Sequence, residues 1–315
     1  MTDNPFPKLP YKDLLSASQF TPDEVLSLFQ TTAALKVGRD VHTSVMRNKR
    51  VAMIFEKDSL RTRFTFDIGI QDMGGSAVFL DHRDARIGSR ENVKDVALNL
   101  ERWADIIVLR TFKHRVITEM AASCSIPVIN GLSDFLHPCQ ALADFFTLTE
   151  KWGDVRGKRV CFVGDGNNTC HSLVTVASKL GAHMTVCSPE GYEPNSKVVN
   201  EAMKTAQETG SEITILNDPV EATKGVDAIY TDVWASMGQE DEVEERAAVF
   251  GSYQVDEAMM ARANDGALFM HCLPAHRGAE VTTAVMDSDY SVVYDIAENR
   301  LHVQKAIMAM LTPAR

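Results

Sequence analysis

Eight residues, Glu56-Lys57-Asp58-Ser59-Leu60-Arg61-Thr62-Arg63, separate an apolar run from a helical pattern. A helix opening there exposes backbone N–H groups, two hydroxyls and a guanidinium together, which is the chemistry of an anion site. Arg61 can engage two phosphate oxygens at once, with Ser59 and Thr62 filling the remaining acceptors. A capped helix with solvated arginines is the plainer alternative. Arg110 follows the run Ile106–Leu109, and His137-Pro138-Cys139-Gln140 opens a long helical pattern. Both fall at strand ends or helix starts, where open α/β sheets bind ligands. Taken singly, His137 also reads as a helix cap and Arg110 as a surface charge.

A second group of residues occupies the other half of the chain. Val163-Gly164-Asp165-Gly166-Asn167-Asn168-Thr169 resembles a dinucleotide-binding turn, but Thr169 stands where the third Gly or Ala belongs. A tight turn displaying two amides, suited to a carboxylate or an amino-acid backbone, fits better than a nicotinamide site. Asp232-Val233-Trp234-Ala235-Ser236-Met237-Gly238 and His271-Cys272-Leu273-Pro274 each end a strand. Asp232 alone could cap its turn, and Cys272 alone reads as a small buried apolar residue. Asn299-Arg300 opens a helix in which an arginine opposes the dipole unless an anion lies nearby.

The elements that must position these residues alternate. Thr21-Pro22-Asp23-Glu24 starts a helix as a capping residue, a Pro at N1 and a carboxylate at N3, and Gly38 suits its end. Short apolar runs then alternate with helical patterns: Val51–Phe55, Thr62–Met73, Ala77–Leu80, Asn92–Trp103, Asp105–Leu109, His114–Ala122 and Pro127–Ile129. The scheme repeats from Arg159, with five strands in all, and a short apolar run at Val292–Tyr294 precedes a final helix from about Arg300 to Leu311. Continuous apolar runs suit strands buried on both faces of a parallel sheet. The expected fold is α/β: two doubly wound parallel-sheet domains, with bridging helices such as His137–Trp152. Expected boundaries are 1–150, 151–298, and 299–315 as a helix returning to the first domain. Ala235–Gln254 lacks apolar periodicity and reads as a mobile lid.

With 315 residues, 45% hydrophobic and 24% charged, the chain has room for about two domains of ~150 residues. Gly and Pro total 29, which excludes collagen-like or low-complexity disorder. A net charge of −11 argues against nucleic-acid or anionic-membrane partners, so any phosphate site must be a local basic cluster. The six Cys form no C-x-x-C pair and read as reduced thiols, and no run approaches the ~18 apolar residues of a membrane span. A cytoplasmic location is expected.

Ser59-Leu60-Arg61-Thr62-Arg63, His137-Pro138-Cys139-Gln140, Asp232 with Ser236-Met237-Gly238, and His271-Cys272-Leu273-Pro274 together resemble the carbamoyltransferases, most closely those acting on ornithine. His276-Arg277-Gly278 and Glu298-Asn299-Arg300 strengthen a likeness that spans nearly the whole chain. The resemblance implies a carbamoyl-phosphate domain followed by an amino-acid domain. It implies Ser59, Leu60, Arg61, Thr62, Arg110, His137, Gln140, Cys272, Leu273 and Arg300 as carbamoyl-phosphate contacts. Asn168, Asp232, Ser236 and Met237 are implied as ornithine contacts, and Arg110, His137, Asp232 and Cys272 as catalytic. It also implies a homotrimer with neither metal nor organic cofactor.

One departure is Leu60, where the ornithine members usually carry Thr and where Leu or Met is reminiscent of the N-acetyl- and N-succinyl-ornithine enzymes. The Asp232–Gly238 pattern resembles the free-ornithine binders instead. The expected reaction is transfer of the carbamoyl group of carbamoyl phosphate to the δ-amine of ornithine in arginine biosynthesis. The alternatives are an acyl-ornithine carbamoyltransferase and, more distantly, a non-catalytic amino-acid or phosphate-binding protein.

Overall fold

A computed structural model describes residues 4–37, 44–81, 86–235 and 240–312. The chain divides into two compact units, Met1–Cys139 with Asn299–Arg315, and Gln140–Glu298. The division falls in the first turn of a helix rather than at 150/151.

In the first unit α1 (Pro22–Val37) opens with the expected reciprocal cap: Glu24 N–H donates to Thr21 Oγ1 at 3.2 Å, and Thr21 N–H to the Glu24 carboxylate at 2.8 Å. Gly38 lies outside the described residues. There follow β1 (Arg50–Phe55), α2 (Leu60–Asp72), β2 (Ser76–Asp81), α3 (Val93–Trp103), β3 (Ile106–Arg110), α4 (His114–Ser123), β4 (Val128–Leu132) and α5 (Pro138–Trp152). The four strands are parallel in the order β2-β1-β3-β4. β1, β3 and β4 are almost wholly buried, and β1 and β3 are accordingly continuous apolar runs rather than alternating ones. The strand order reverses between β1 and β3, whose last residues Phe55 and Arg110 are register partners.

The second unit continues with β5 (Arg159–Val163), α6 (Asn168–Leu180), β6 (His183–Cys187), α7 (Ser196–Thr209), β7 (Ile213–Leu216), α8 (Pro219–Ala222), β8 (Ala228–Thr231), α9 (Val243–Phe250), α10 (Glu257–Met260), β9 (Leu268–His271), α11 (Thr283–Met286) and the first residues of α12 (Val293–Leu311), which ends in the first unit. Its parallel sheet runs β7-β6-β5-β8-β9, reversing between β5 and β8, where Val163 pairs with Thr231. Two parallel-sheet α/β domains are therefore the architecture, and the chain passes from one unit to the other within α5 and again within α12.

Two expectations need correction. The last helix starts at Val293, not near Arg300, and takes in most of the Val292–Tyr294 run, because three apolar residues in a row fit a helix start as well as a strand. The stretch Ala235–Gln254 is not without structure: short 3₁₀ turns at Glu240–Glu242 and Gly251–Tyr253 flank α9. That helix buries Arg246 and Phe250, and a buried arginine leaves no apolar period to read. Among the described residues, no helix is long and apolar enough to cross a membrane.

Candidate active site

In the first unit, the expected anion-binding residues gather at the carboxyl edge of the sheet. Ser59 caps α2 through its hydroxyl, which accepts from the Thr62 N–H at 3.2 Å. Leu60 is the first helical residue, its side chain 68% exposed. Arg110 closes β3 beside Phe55 of β1, and a register shift between Leu109 and Arg110 re-aims the strand end. The link from β4 to α5 is a tight turn, in which Ser133 N–H donates to the Leu136 carbonyl at 2.9 Å and Leu136 N–H to the Ser133 hydroxyl at 3.1 Å. The turn delivers His137, which is buried, to the start of α5. Arg300 of α12 is also buried, and its guanidinium donates to Thr62 Oγ1 at 3.2 Å.

Electrostatics define this cluster. Burial pushes His137 well below the usual histidine range, and the guanidiniums of Arg300, Arg110 and Arg61 push it the same way. The imidazole is therefore neutral near pH 7 and has one N–H to donate. Three guanidiniums and a neutral imidazole in a chain of net charge −11 form the local reversal of field that a phosphate requires. Glu56, a positioning residue that sequence reasoning missed, is buried beneath it. Its two carboxylate oxygens accept the Ile87 and Phe112 N–H groups at 2.8 Å each, fastening the segments after β2 and β3 to the end of β1.

Gln140, expected among the same contacts, belongs to the second unit, where its carboxamide nitrogen donates to Asp144 Oδ1 at 2.9 Å. Cys272 and Leu273 belong there too. That unit builds a second cluster at the ends of β5, β8 and β9. Asp232 follows β8, and three donors meet its carboxylate: Val233 N–H at 2.8 Å and Cys272 Sγ at 2.9 Å on Oδ1, and Asn167 Nδ2 at 2.9 Å on Oδ2. Asn167 also caps α6, its Oδ1 accepting the Thr169 and Cys170 N–H groups. Asn168 is the first residue of α6, and its own side-chain oxygen accepts the Thr169 N–H at 2.9 Å. Ser236 and Met237 lie outside the described residues.

The turn after β9 fixes Cys272 and Leu273. Leu273 adopts φ 59°, a left-handed conformation that a branched side chain rarely takes, and precedes a cis peptide bond to Pro274. Its N–H donates to His271 Nδ1 at 2.8 Å, while His271 Nε2 faces the Glu280 carboxylate at 3.4 Å. Burial alone would raise the Glu280 carboxyl, but bonds from His271 and the His276 N–H hold it below the ordinary range. Asp232, His271 and Cys272 bring potential metal-ligand atoms within 4.8 Å of one another. Within the trio the Cys272 thiol donates to Asp232, whereas His271 accepts from the Leu273 N–H at Nδ1 and turns Nε2 toward Glu280. The arrangement offers a carboxylate with a thiol beside it, suited to an ammonium group.

Both clusters lie where the topology predicts a ligand, outside strand ends at the reversal points of a doubly wound sheet. Known proteins carry a similar sequence and fold. Residues 12–150 match the carbamoyl-phosphate binding domain of the aspartate/ornithine carbamoyltransferases, and residues 156–311 match the Asp/Orn binding domain. An ornithine carbamoyltransferase of Pyrococcus horikoshii is 47% identical over 302 residues, covering 95% of each chain. The solved structure of ornithine carbamoyltransferase from Pyrococcus furiosus aligns with a TM-score of 0.92 at 46% identity, over 96% of this chain and 97% of that one. An acetylornithine transcarbamylase complexed with acetylcitrulline aligns with a TM-score of 0.88 at 31% identity, over 96% of this chain and all of that one. By fold, by the placement of its charged clusters and by likeness along nearly its whole length, the chain belongs to the aspartate/ornithine carbamoyltransferase family.

Proposed function

We infer that the chain is an ornithine carbamoyltransferase, making L-citrulline and phosphate from carbamoyl phosphate and L-ornithine in arginine biosynthesis. The observation that carries this reading is the pairing of chemistries. One unit gathers three guanidiniums around a neutral imidazole, and the other holds an ionisable carboxylate beside a thiol. The first suits a phosphate and a carbonyl oxygen, the second an alkyl ammonium. Relatives of 46–47% identity named for ornithine outweigh the acetylornithine neighbour at 31%.

The reaction forms a C–N bond as the δ-amine attacks the carbonyl carbon, and breaks the C–O bond as phosphate leaves with the electron pair. The ammonium sheds one proton before attack and a second as the C–N bond forms, and the departing phosphate takes up one of the two, so one proton is released to solvent overall. Both exchanges are polar, so no redox group enters. An alkyl amine with a pKa of ~10.4 is almost wholly protonated at pH 7, and supplying it neutral costs about 4.6 kcal/mol. Asp232 and Cys272 hold and orient this group while the proton departs, and neither becomes covalently attached. Arg110 and His137 donate to the carbonyl oxygen as charge develops there, and Arg61 to the leaving phosphate, with Arg300, Ser59, Thr62 and the Leu60 backbone completing the grip. Gln140, Leu273, Asn168, Ser236 and Met237 complete the contacts in this scheme. Carbamoyl phosphate binds first, and ornithine follows.

A homotrimer accompanies this reading. Leu60, Phe64 and Ile68 form an exposed apolar stripe along α2 at four-residue spacing, and the edge strand β2 exposes Val78 and Leu80. An edge of this kind calls for cover, and another copy of the chain provides it. The cytoplasm is the location that suits this activity and the reduced thiols. The deciding experiment is a rate table with carbamoyl phosphate and ornithine, N-acetylornithine, N-succinylornithine, putrescine or aspartate, scored by ureido product. Ornithine should lead by at least a hundredfold, and a lead for either acylated amine would overturn the assignment.

A further inference from the structure

We propose that Arg246 of α9 is a positioning residue for the ornithine-binding cluster, setting the Asp232 carboxylate through the two turns that flank it. The proposal rests on the reading that the second unit binds ornithine. α9 is a surface helix of eight residues whose buried side chains are Arg246 and Phe250, four positions apart. The guanidinium lies under the surface and reaches three acceptors. Nη1 donates to Asp165 Oδ2 at 3.0 Å and to the Trp234 carbonyl at 2.8 Å, and Nε donates to Glu242 at 2.7 Å. The same group lies over the Tyr192 ring, 5.1 Å from its centroid. Phe250 packs beside it against Tyr192 and Trp234.

Trp234, Asp165 and Tyr192 each lead to Asp232 through a short stretch of chain. Trp234 is two residues further along the same turn, so the Arg246 bond fixes the backbone on one side of the carboxylate. Asp165 lies two residues before Asn167, whose amide nitrogen holds Asp232 on the other side. Tyr192 ties in the same turn through its carbonyl, which accepts the Gly166 N–H at 2.8 Å. A single guanidinium thus spans the carboxyl ends of β5 and β8, the two strands between which the sheet order reverses.

The energetics favour a positioning role over a purely structural one. Burying a guanidinium carries a desolvation cost, and a well-packed apolar residue of similar volume commonly serves a fold equally well or better. Asp165 shows that cost: burial pushes its carboxyl up to about 6, with Arg246 pulling against the rise and Asp232 and Glu242 adding to it. A planar donor satisfies three acceptors at fixed angles, which neither lysine nor methionine reproduces.

The test compares Arg246→Met, Arg246→Lys and Asp165→Asn with the parent chain under steady-state kinetics. Calorimetric titration with citrulline in phosphate supplies a readout independent of turnover. Arg246→Met should raise KM for ornithine and Kd for citrulline at least tenfold while KM for carbamoyl phosphate stays within twofold. Arg246→Lys should recover part of the loss, and Asp165→Asn should shift the same constants by a smaller factor. The Arg246→Met/Asp165→Asn double variant should lose less than the product of the two single effects. Equal losses in both substrates, or an unchanged ornithine KM and citrulline Kd, would overturn the proposal. Should Arg246→Met fail to fold, Asp165→Asn alone decides, because an unchanged ornithine KM and citrulline Kd there would equally sink it. A parent chain that turns over no ornithine would instead refute the functional reading.

Discussion

Replacing Asp232 with Asn removes one negative charge while keeping the outline of the side chain, and the bonds around it determine the cost. An amide oxygen placed at the Oδ1 position keeps the Val233 N–H and the Cys272 thiol, which meet that atom at 2.8 and 2.9 Å. The new NH₂ then sits at the Oδ2 position, against the Asn167 Nδ2 that donates there at 2.9 Å. Asn167 cannot turn its amide over without surrendering the cap of α6, because its oxygen already accepts from Thr169 and Cys170. One charge-assisted bond of roughly 1.5–3 kcal/mol is lost and two donors are left face to face, for a total of about 2–4 kcal/mol. At about 2–4 °C per kcal/mol for a domain of this size, the melting temperature should fall by roughly 4–16 °C. The substrate ammonium loses its counter-charge as well, and a loss of about 3 kcal/mol lowers kcat/KM for ornithine by about a hundredfold. Steady-state kinetics with each substrate varied in turn should place the loss on ornithine, with KM for carbamoyl phosphate within about twofold of the parent. A variant with parental kcat/KM for ornithine, or one whose loss falls equally on carbamoyl phosphate, would refute the assignment of Asp232 to the amine.

Arg61→Gly should reduce kcat/KM by at least the 10²–10³ typical of a lost transition-state donor, and near-normal kcat and KM would reject its role. Gly166→Ala introduces a methyl group 2.2 Å from the Pro194 nitrogen and 2.5 Å from the Glu193 carbonyl carbon, both of them backbone. It should destabilise the chain by about 1–3 kcal/mol and raise KM for ornithine. An unchanged melting temperature would show that the two turns do not approach so closely. His137 is held neutral in the fold but protonates near pH 6.5 when unfolded, so the unfolded chain takes up a proton that the native one refuses. Stability should therefore be intact above about pH 6.5 and decline below it, by up to about 1.4 kcal/mol per pH unit. Thermal melts at pH 7.5 and 5.5 should show a smaller acid loss in His137→Gln than in the parent, and equal losses would contradict the assignment.

The sheets were largely legible because buried parallel strands write themselves as short apolar runs, and the α1 cap because Thr21 and Glu24 satisfy each other locally. What escaped was whatever depends on distant partners or ambiguous neighbours. Asn167 and Asp232 are 65 positions apart, and nothing local to either announces their pairing. Arg246 and Asp165 are 81 positions apart, so no local pattern announces their pairing. Glu56 stands in a charged octapeptide where its neighbours look equally solvated, and its burial comes from the amides of Ile87 and Phe112. The anion cluster was easier, because residues grouped near strand ends keep their meaning whichever strands become neighbours.

Arg300 has a consequence for biosynthesis. The cluster's other cations, Arg61 and Arg110, and its imidazole are all added before residue 140, whereas Arg300 is added only after the intervening unit Gln140–Glu298 has been translated. At ~5–20 residues per second that interval lasts roughly 10–30 s. A nascent chain halted anywhere inside the second unit would carry the first sheet without the arginine that reaches Thr62, and under the proposed function it should bind a small phosphorylated metabolite less tightly than the finished chain. Competence to bind thus arrives late in translation.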